Sequence, residues 1–241
     1  MKTIIAENYN EVSKIAANMI KEVIESKDKP VLGLATGSTP EGLYSELIKM
    51  NKDKLVDFSN VYTVNLDEYV GLKPENDQSY RYFMNDRLFN HVNINKENTF
   101  VPNGVAEDIE EESKAYDRRI EELGGIDVQI LGIGLNGHIG FNEPGDYLIS
   151  GTHRADLAES TIKVNARFFD KIEEVPTQAM TMGIGTIMKA RKIILIVRGE
   201  NKANAVKELL EGKITTKNPS TILNLHNDVT VIMEKEISDK M

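Results

Sequence analysis

Val31-Leu32-Gly33-Leu34-Ala35 runs directly into Thr36-Gly37-Ser38-Thr39-Pro40. The first five residues are small or apolar without alternation, the pattern of a strand covered on both faces. A hydroxyl-rich turn follows, and Pro40 suits the first helical position, where no N–H is needed. A helical segment then extends to about Met50. Strand, tight turn and helix in this order form the repeating unit of a parallel α/β sheet.

The same unit recurs outward from this stretch. Upstream, residues 12–24 place Val12, Ile15, Ala16, Met19, Ile20, Val23 and Ile24 on one helical stripe. Asn8 with Glu11 three residues on reads as a capping box, and Pro30 closes the helical pattern. Downstream, strands are expected at 61–66, 127–134, 192–198 and 229–233. Helices are expected at about 78–90, 107–123 and 201–210. The fold class is therefore α/β, an open, mostly parallel sheet with helices on both faces. Neither repeats nor a Gly/Ser linker interrupt the chain, so one domain over 1–241 is expected. The segment 146–182 is the least regular, and reads either as a mobile flap over a site or as an ordinary surface excursion.

Composition excludes several kinds of chemistry. A chain of 241 residues buries roughly 70% of its unfolded surface and needs no staples. It contains no cysteine, which removes disulfides, thiolate metal sites and thiol nucleophiles. Its 29 basic and 38 acidic residues give a net charge of −9. That balance argues against nucleic-acid and anionic-membrane partners. The N-terminal residues turn polar too soon for a signal peptide, and no apolar run approaches bilayer length. A cytoplasmic location is the expectation.

Four motifs can carry chemistry. In the opening stretch, the helix-end N–H groups and the hydroxyls of Thr36, Ser38 and Thr39, with Gly37 between them, would cradle a phosphate. The turn lacks the Gly-Lys-Ser/Thr ending of a Walker loop, and a plain βα turn would read the same. Next, Asn65-Leu66-Asp67-Glu68-Tyr69-Val70-Gly71 puts two carboxylates past the end of a strand. Ligands bind at that edge in open α/β sheets, and partial burial would make a carboxylate there a general base. Otherwise Asp67 caps the next element and Glu68 is solvated. The third motif, residues 132–145, sets His138 among five glycines, with Asn136 two residues before it and Glu143 five after. A histidine in a glycine-rich turn beside a sheet edge is poorly placed as core, which favours an acid–base role. No second ligand lies at metal spacing, so no metal is expected. Finally, Arg198-Gly199-Glu200-Asn201-Lys202 opens a helix with Lys202 in its first turn. A cation there opposes the helix dipole unless an anion binds between them. Arg167 is ambiguous alone, since guanidinium suits phosphate but most arginines are surface residues.

Taken together, these motifs resemble the glucosamine-6-phosphate deaminase family of sugar-phosphate isomerases. The resemblance rests on LGLATGSTP (32–40), NLDEYVGL (65–72), LGIGLNGHIGFNEPG (131–145), NARFFD (165–170) and GENKANAV (199–206), and runs to about residue 235. It implies a Rossmann-like three-layer fold of the isomerase/lactonase type. It also implies conversion of glucosamine 6-phosphate and water to fructose 6-phosphate and ammonia in amino-sugar catabolism, by proton transfer and without a cofactor. By the same resemblance Asp67 takes and shuttles the C2 proton, His138 opens the ring, and Glu143 orients the imidazole. Thr36, Gly37, Ser38, Thr39, Arg167 and Lys202 would hold the phosphate, and 146–182 would be a lid. Asn136 stands where many members carry Asp. It can orient the ring without a charge that favours imidazolium. The stretch after Glu143-Pro144 lacks the basic pattern of allosteric members, so a non-allosteric monomer or low-order homo-oligomer is expected. Two rival readings are a 6-phosphogluconolactonase-like hydrolase and a non-catalytic sugar-phosphate sensor. NLDEYVGL and the His138–Glu143 spacing favour the deaminase, and no DNA-binding module is visible.

Overall fold

The computed structural model describes residues 1–158, 162, 169, 171 and 174–241. Arg167, part of the NARFFD motif and much of the expected lid lie outside them. Ten strands are described: β1 (Lys2–Ala6), β2 (Val31–Leu34), β3 (Tyr62–Asn65), β4 (Asp67–Tyr69), β5 (Thr99–Phe100), β6 (Val128–Leu131), β7 (His153–Asp156), β8 (Gln178–Thr181), β9 (Lys192–Val197) and β10 (Val229–Glu234). The α-helices are α1 (Tyr9–Glu25), α2 (Glu41–Lys52), α3 (Tyr80–Met84), α4 (Ile109–Glu122), α5 (Ile184–Met188), α6 (Ala203–Leu210) and α7 (Lys235–Ser238).

Seven strands form one sheet in the order β1-β10-β9-β6-β2-β3-β5, and every neighbouring pair is parallel. Every residue of β2 and β6 is buried, as are five of six in β9 and in β10. Alternate side chains point to opposite faces, so both faces are covered. From β2 the chain moves one way to β3 and β5, then returns to the other side of β2 for β6, β9 and β10. The crevice between the C-terminal ends of β2 and β6 is therefore the topological switch point, where such sheets bind ligands.

The structure refines several local expectations. Asn8 caps α1 by accepting from the Glu11 N–H at 3.1 Å. The Glu11 carboxylate reaches the Glu7 N–H at 2.7 Å, one residue before the cap, so the box is offset. Val12, Ala16, Ile20 and Ile24 are buried along α1, and each large one contributes roughly 1.5–3 kcal/mol. Pro40 is the cap residue of α2 and not its first helical residue. The helix expected over 78–90 is α3 followed by a π-helical turn, Asn85–Phe89. The strand β5 and the short helices α5 and α7 were not expected from the sequence, and neither were two larger features. One is the edge strand β1. The other is a second, antiparallel sheet, β4-β8-β7, which joins Asp67–Tyr69 to Gln178–Thr181.

Candidate active site

A cavity of about 180 Å³ opens at the switch point. Ala35, Thr36 and Thr39 line it from the turn after β2, Leu66 and Asp67 from the end of β3, and Gly132 to Gly134 with His138 from the loop after β6. The segments that leave three parallel strands at one sheet edge thus meet around one space.

Asp67 starts β4 and is buried. Its carboxylate accepts no hydrogen bond from the described residues. Burial, with the charge of Glu68 second, pushes its pKa up to about 8. Glu68 does different work. It accepts from the N–H groups of Tyr69, Tyr80 and Arg81, each at 2.9 Å, and so caps α3 across space. Burial still moves the Glu68 carboxyl upward, against those three donors. The plain reading of the acidic pair is corrected: Glu68 is the cap and is buried, and Asp67 faces the cavity. That cap brings Tyr80 to the cavity wall, where its ring lies 4.7 Å from Tyr69 and 6.3 Å from Phe141. No sequence spacing pointed to Tyr80.

His138 sits in a loop built for close approach. A Cβ on Gly134 would lie 2.4 Å from the imidazole, so only glycine lets the ring rest there. Nδ1 of His138 is 3.1 Å from Glu143 Oε1, without hydrogen-bond alignment. Nε2 has no hydrogen-bond partner among the described residues and is the nitrogen left to meet a ligand. Asn136 does not touch the ring. Its amide donates to Glu143 Oε2 at 2.7 Å, and its Oδ1 accepts from the His138 backbone N–H at 3.2 Å. It therefore acts through Glu143 and the loop backbone, where direct ring orientation was expected.

A distant strap supports this loop at both ends. The Ser220 N–H donates to Gly137 O at 2.8 Å, and Thr216 exchanges two bonds with Gly145. Asn218 is buried, bonds to Ala205 O and Glu208 on α6, and accepts from Ser220. Gly137 has φ +83°, and a Cβ on it would sit 1.9 Å from the Asn218 side chain.

The other predicted residues surround this centre. Gly37, at φ +84°, and Ser38 form the exposed outer part of the β2 turn. Lys202 lies in the turn Glu200–Lys202 that leads into α6, off the cavity wall. It is half-buried without an ion-pair partner among the described residues, and burial lowers its pKa. Asp67, His138, Thr36 and Thr39 share the cavity, while Asn136 and Glu143 stand behind His138. Among the described residues no group of three or more His, Asp or Glu side chains is arranged to hold a metal ion. No described helix is long and apolar enough to cross a membrane. A larger cleft of about 370 Å³ lies at the opposite sheet edge, beside Pro30, Lys54 and Asp57. Its Asp57 is exposed and held below its usual range by the Ser59 N–H and Asn93. It contains no histidine and no acid–base pair of the kind found at the switch point.

Fold and site define an α/β protein with a buried carboxylate, an imidazole and a hydroxyl-rich turn around one cavity at a sheet edge. The family model of glucosamine-6-phosphate isomerases/6-phosphogluconolactonase matches residues 6–232, and the chain belongs to that family. It is 62% identical over 239 residues to a glucosamine-6-phosphate deaminase of Clostridium beijerinckii, covering 99% of each chain. It is 58% identical to that of Clostridium perfringens, covering 98% of each. A solved monomeric glucosamine-6-phosphate deaminase superposes with a TM-score of 0.97 at 46% identity, over 100% of both chains. The 6-phosphogluconolactonase of Thermotoga maritima shares the fold, with a TM-score of 0.76 at 22% identity, over 97% of this chain and 99% of that one.

Proposed function

We infer that this chain is a glucosamine-6-phosphate deaminase, forming fructose 6-phosphate and ammonia from glucosamine 6-phosphate and water. The observation that carries this reading is the cavity shared by Asp67, His138 and the hydroxyl turn. A buried carboxylate without donors is a stronger base than a solvated one. It suits removal of a carbon-bound proton at C2 and its return to C1, the aldose–ketose shift. His138 would serve ring opening through Nε2, with Nδ1 turned to Glu143. Glu143 would hold the imidazole, and Asn136 would hold Glu143. The phosphate would lie against Thr36, Gly37, Ser38 and Thr39, with Lys202 and Arg167 as its cations. Lys202 supports this assignment because it is partly desolvated and has no anion of its own among the described residues.

We read 1–241 as one catalytic domain with a lid within 146–182, working as a non-allosteric monomer in cytoplasmic amino-sugar catabolism. The likeness to a monomeric deaminase supports that assembly state. Purified protein incubated with glucosamine 6-phosphate is expected to release ammonia and fructose 6-phosphate in equal amounts, along a hyperbolic rate curve. Hydrolysis of 6-phosphogluconolactone without ammonia would overturn the reading in favour of a lactonase. Binding of the sugar phosphate without turnover would favour a sensor.

A further inference from the structure

Arg198 follows β9 and is exposed, yet it pairs with no carboxylate among the described residues. Its guanidinium lies 4.0 Å over the ring of Tyr9, and Nη1 donates to the Ser38 carbonyl at 3.0 Å. The Tyr9 hydroxyl is 2.8 Å from the Thr39 carbonyl and 3.1 Å from that of Ser38. It also accepts from the Gly42 N–H at 2.7 Å. Two consecutive carbonyls of the hydroxyl turn are thus drawn to one side by groups from α1 and from the end of β9.

Peptide geometry turns this contact into a constraint on the site. In a planar trans peptide the carbonyl and the following N–H point in opposite directions, and there is no cis peptide among the described residues. With the Ser38 carbonyl held toward Arg198 and Tyr9, the Thr39 N–H is directed away from them. Thr39 lines the cavity. The Tyr9 hydroxyl meanwhile engages the Gly42 N–H, one of the free donors at the start of α2. The contact therefore selects which backbone donors of the turn remain for an anion.

We propose that Tyr9 and Arg198 form a clasp that sets the direction of the Thr39 N–H, making both positioning residues for the phosphate of the substrate. The proposal rests on the reading of this turn as the phosphate site. Neither residue needs to touch substrate. The guanidinium also brings a positive charge to the outer side of the turn, unopposed by a carboxylate.

The test compares Arg198→Ala, Arg198→Lys and Tyr9→Phe with the wild-type chain. The measurements are kcat, KM for glucosamine 6-phosphate, and the competitive inhibition constant of inorganic phosphate. Losing an oriented backbone donor to a charged group weakens binding by about tenfold. Arg198→Ala and Tyr9→Phe are expected to raise KM and the phosphate inhibition constant together by about that factor. The fall in kcat should stay within about twofold, the pattern of lost uniform binding. Arg198→Lys keeps a donor on a flexible stem and is expected to recover part of the loss. A lower melting temperature with unchanged KM and phosphate inhibition would make the clasp merely structural and overturn the proposal. So would a loss confined to kcat. If inorganic phosphate does not compete in the wild-type enzyme, the phosphate reading of the turn fails, and the clasp fails with it.

Discussion

Replacing Asp67 by Asn separates what this carboxylate does for chemistry from what it does to the fold. Burial moves the group from an ordinary 3.8 to about 8. That displacement corresponds to about 6 kcal/mol of preference for the neutral form, at roughly 1.4 kcal/mol per tenfold. The folded protein therefore holds a proton on Asp67, between about pH 4 and 8, that the unfolded chain releases. Stability from this group is greatest below pH 4 and falls by about 1.4 kcal/mol per pH unit until about pH 8. With Asp67 as the proposed base, catalysis is expected to run the other way, because the base must be ionised. About one tenth of free enzyme carries the anion at pH 7 and about one hundredth at pH 6. The value of kcat/KM is expected to rise about tenfold per unit up to pH 8 and then level. Asp67→Asn is expected to abolish ammonia release, remove that share of the pH-dependence of stability, and raise the melting temperature at pH 8 more than at pH 5. Rates from pH 5.5 to 9 and denaturant melts at both pH values supply the data. An acid limb near pH 4, or a variant whose stability follows pH as the wild type does, would refute the reasoning.

Three further substitutions probe the surroundings. Asn136→Asp exchanges the donor 2.7 Å from Glu143 Oε2 for a second carboxylate. It should destabilise the protein by about 1–3 kcal/mol at pH 8 and less at pH 5, where a shared proton relieves repulsion; equal penalties at the two pH values would contradict this. Lys202→Met removes a half-buried cation whose pKa is lowered by desolvation. The expected result is a KM raised by about 10- to 100-fold, with thermal stability retained or increased; an unchanged KM would take Lys202 out of the phosphate site. Asn218→Ala breaks bonds to Ala205, Glu208 and Ser220. We expect a loss of about 1–3 kcal/mol and a tenfold or larger fall in kcat, with phosphate inhibition unchanged. A normal kcat in the folded variant would show that the strap does not set the His138 loop.

The elements that could be read from the chain are those whose burial is written locally. β2, β6, β9 and β10 are mostly apolar without strict alternation because both faces are covered, and α1 carries its stripe at helical spacing. β1 is an edge strand with one buried residue in five, so its pattern carries little signal. β4 is Asp67-Glu68-Tyr69, a sequence with no strand pattern of its own, held by pairing with residues more than a hundred positions away. The site divides the same way. Asp67, His138 and Glu143 stood out because charged or glycine-rich residues followed strand ends. Tyr9, Tyr80, Arg198 and Asn218 did not, because each acts through contacts between distant segments. Glu68 was the instructive case: the plain reading of the pair made Asp67 the cap, and the two N–H groups brought by α3, with that of Tyr69, assign Glu68 to structure instead.

A net charge of −9 suggests a molecule that repels anions, and the proposed phosphate site offers a way for a single phosphate to escape that inference. Polymeric anions sample the whole surface, whereas one phosphate meets only the few groups at the switch point. Two groups, one at the switch point and one in the turn before α6, are left electrostatically incomplete by the protein. Among the described residues, Lys202 is partly withdrawn from water without a counter-ion, and Asp67 is withdrawn without a donor. Each shift has the same physical origin, desolvation of a charge, and the two act on opposite signs. A sugar phosphate supplies what both lack: a dianion for the cation, and hydroxyl or amino protons for the carboxylate. Binding is then expected to draw both groups back toward their charged forms, so the substrate itself helps create the ionised base that acts on it. The fold tolerates this unfavourable pair because β2, β6 and β9 beneath it are packed on both faces. The stability lost at the sheet edge is offset by the core beneath it.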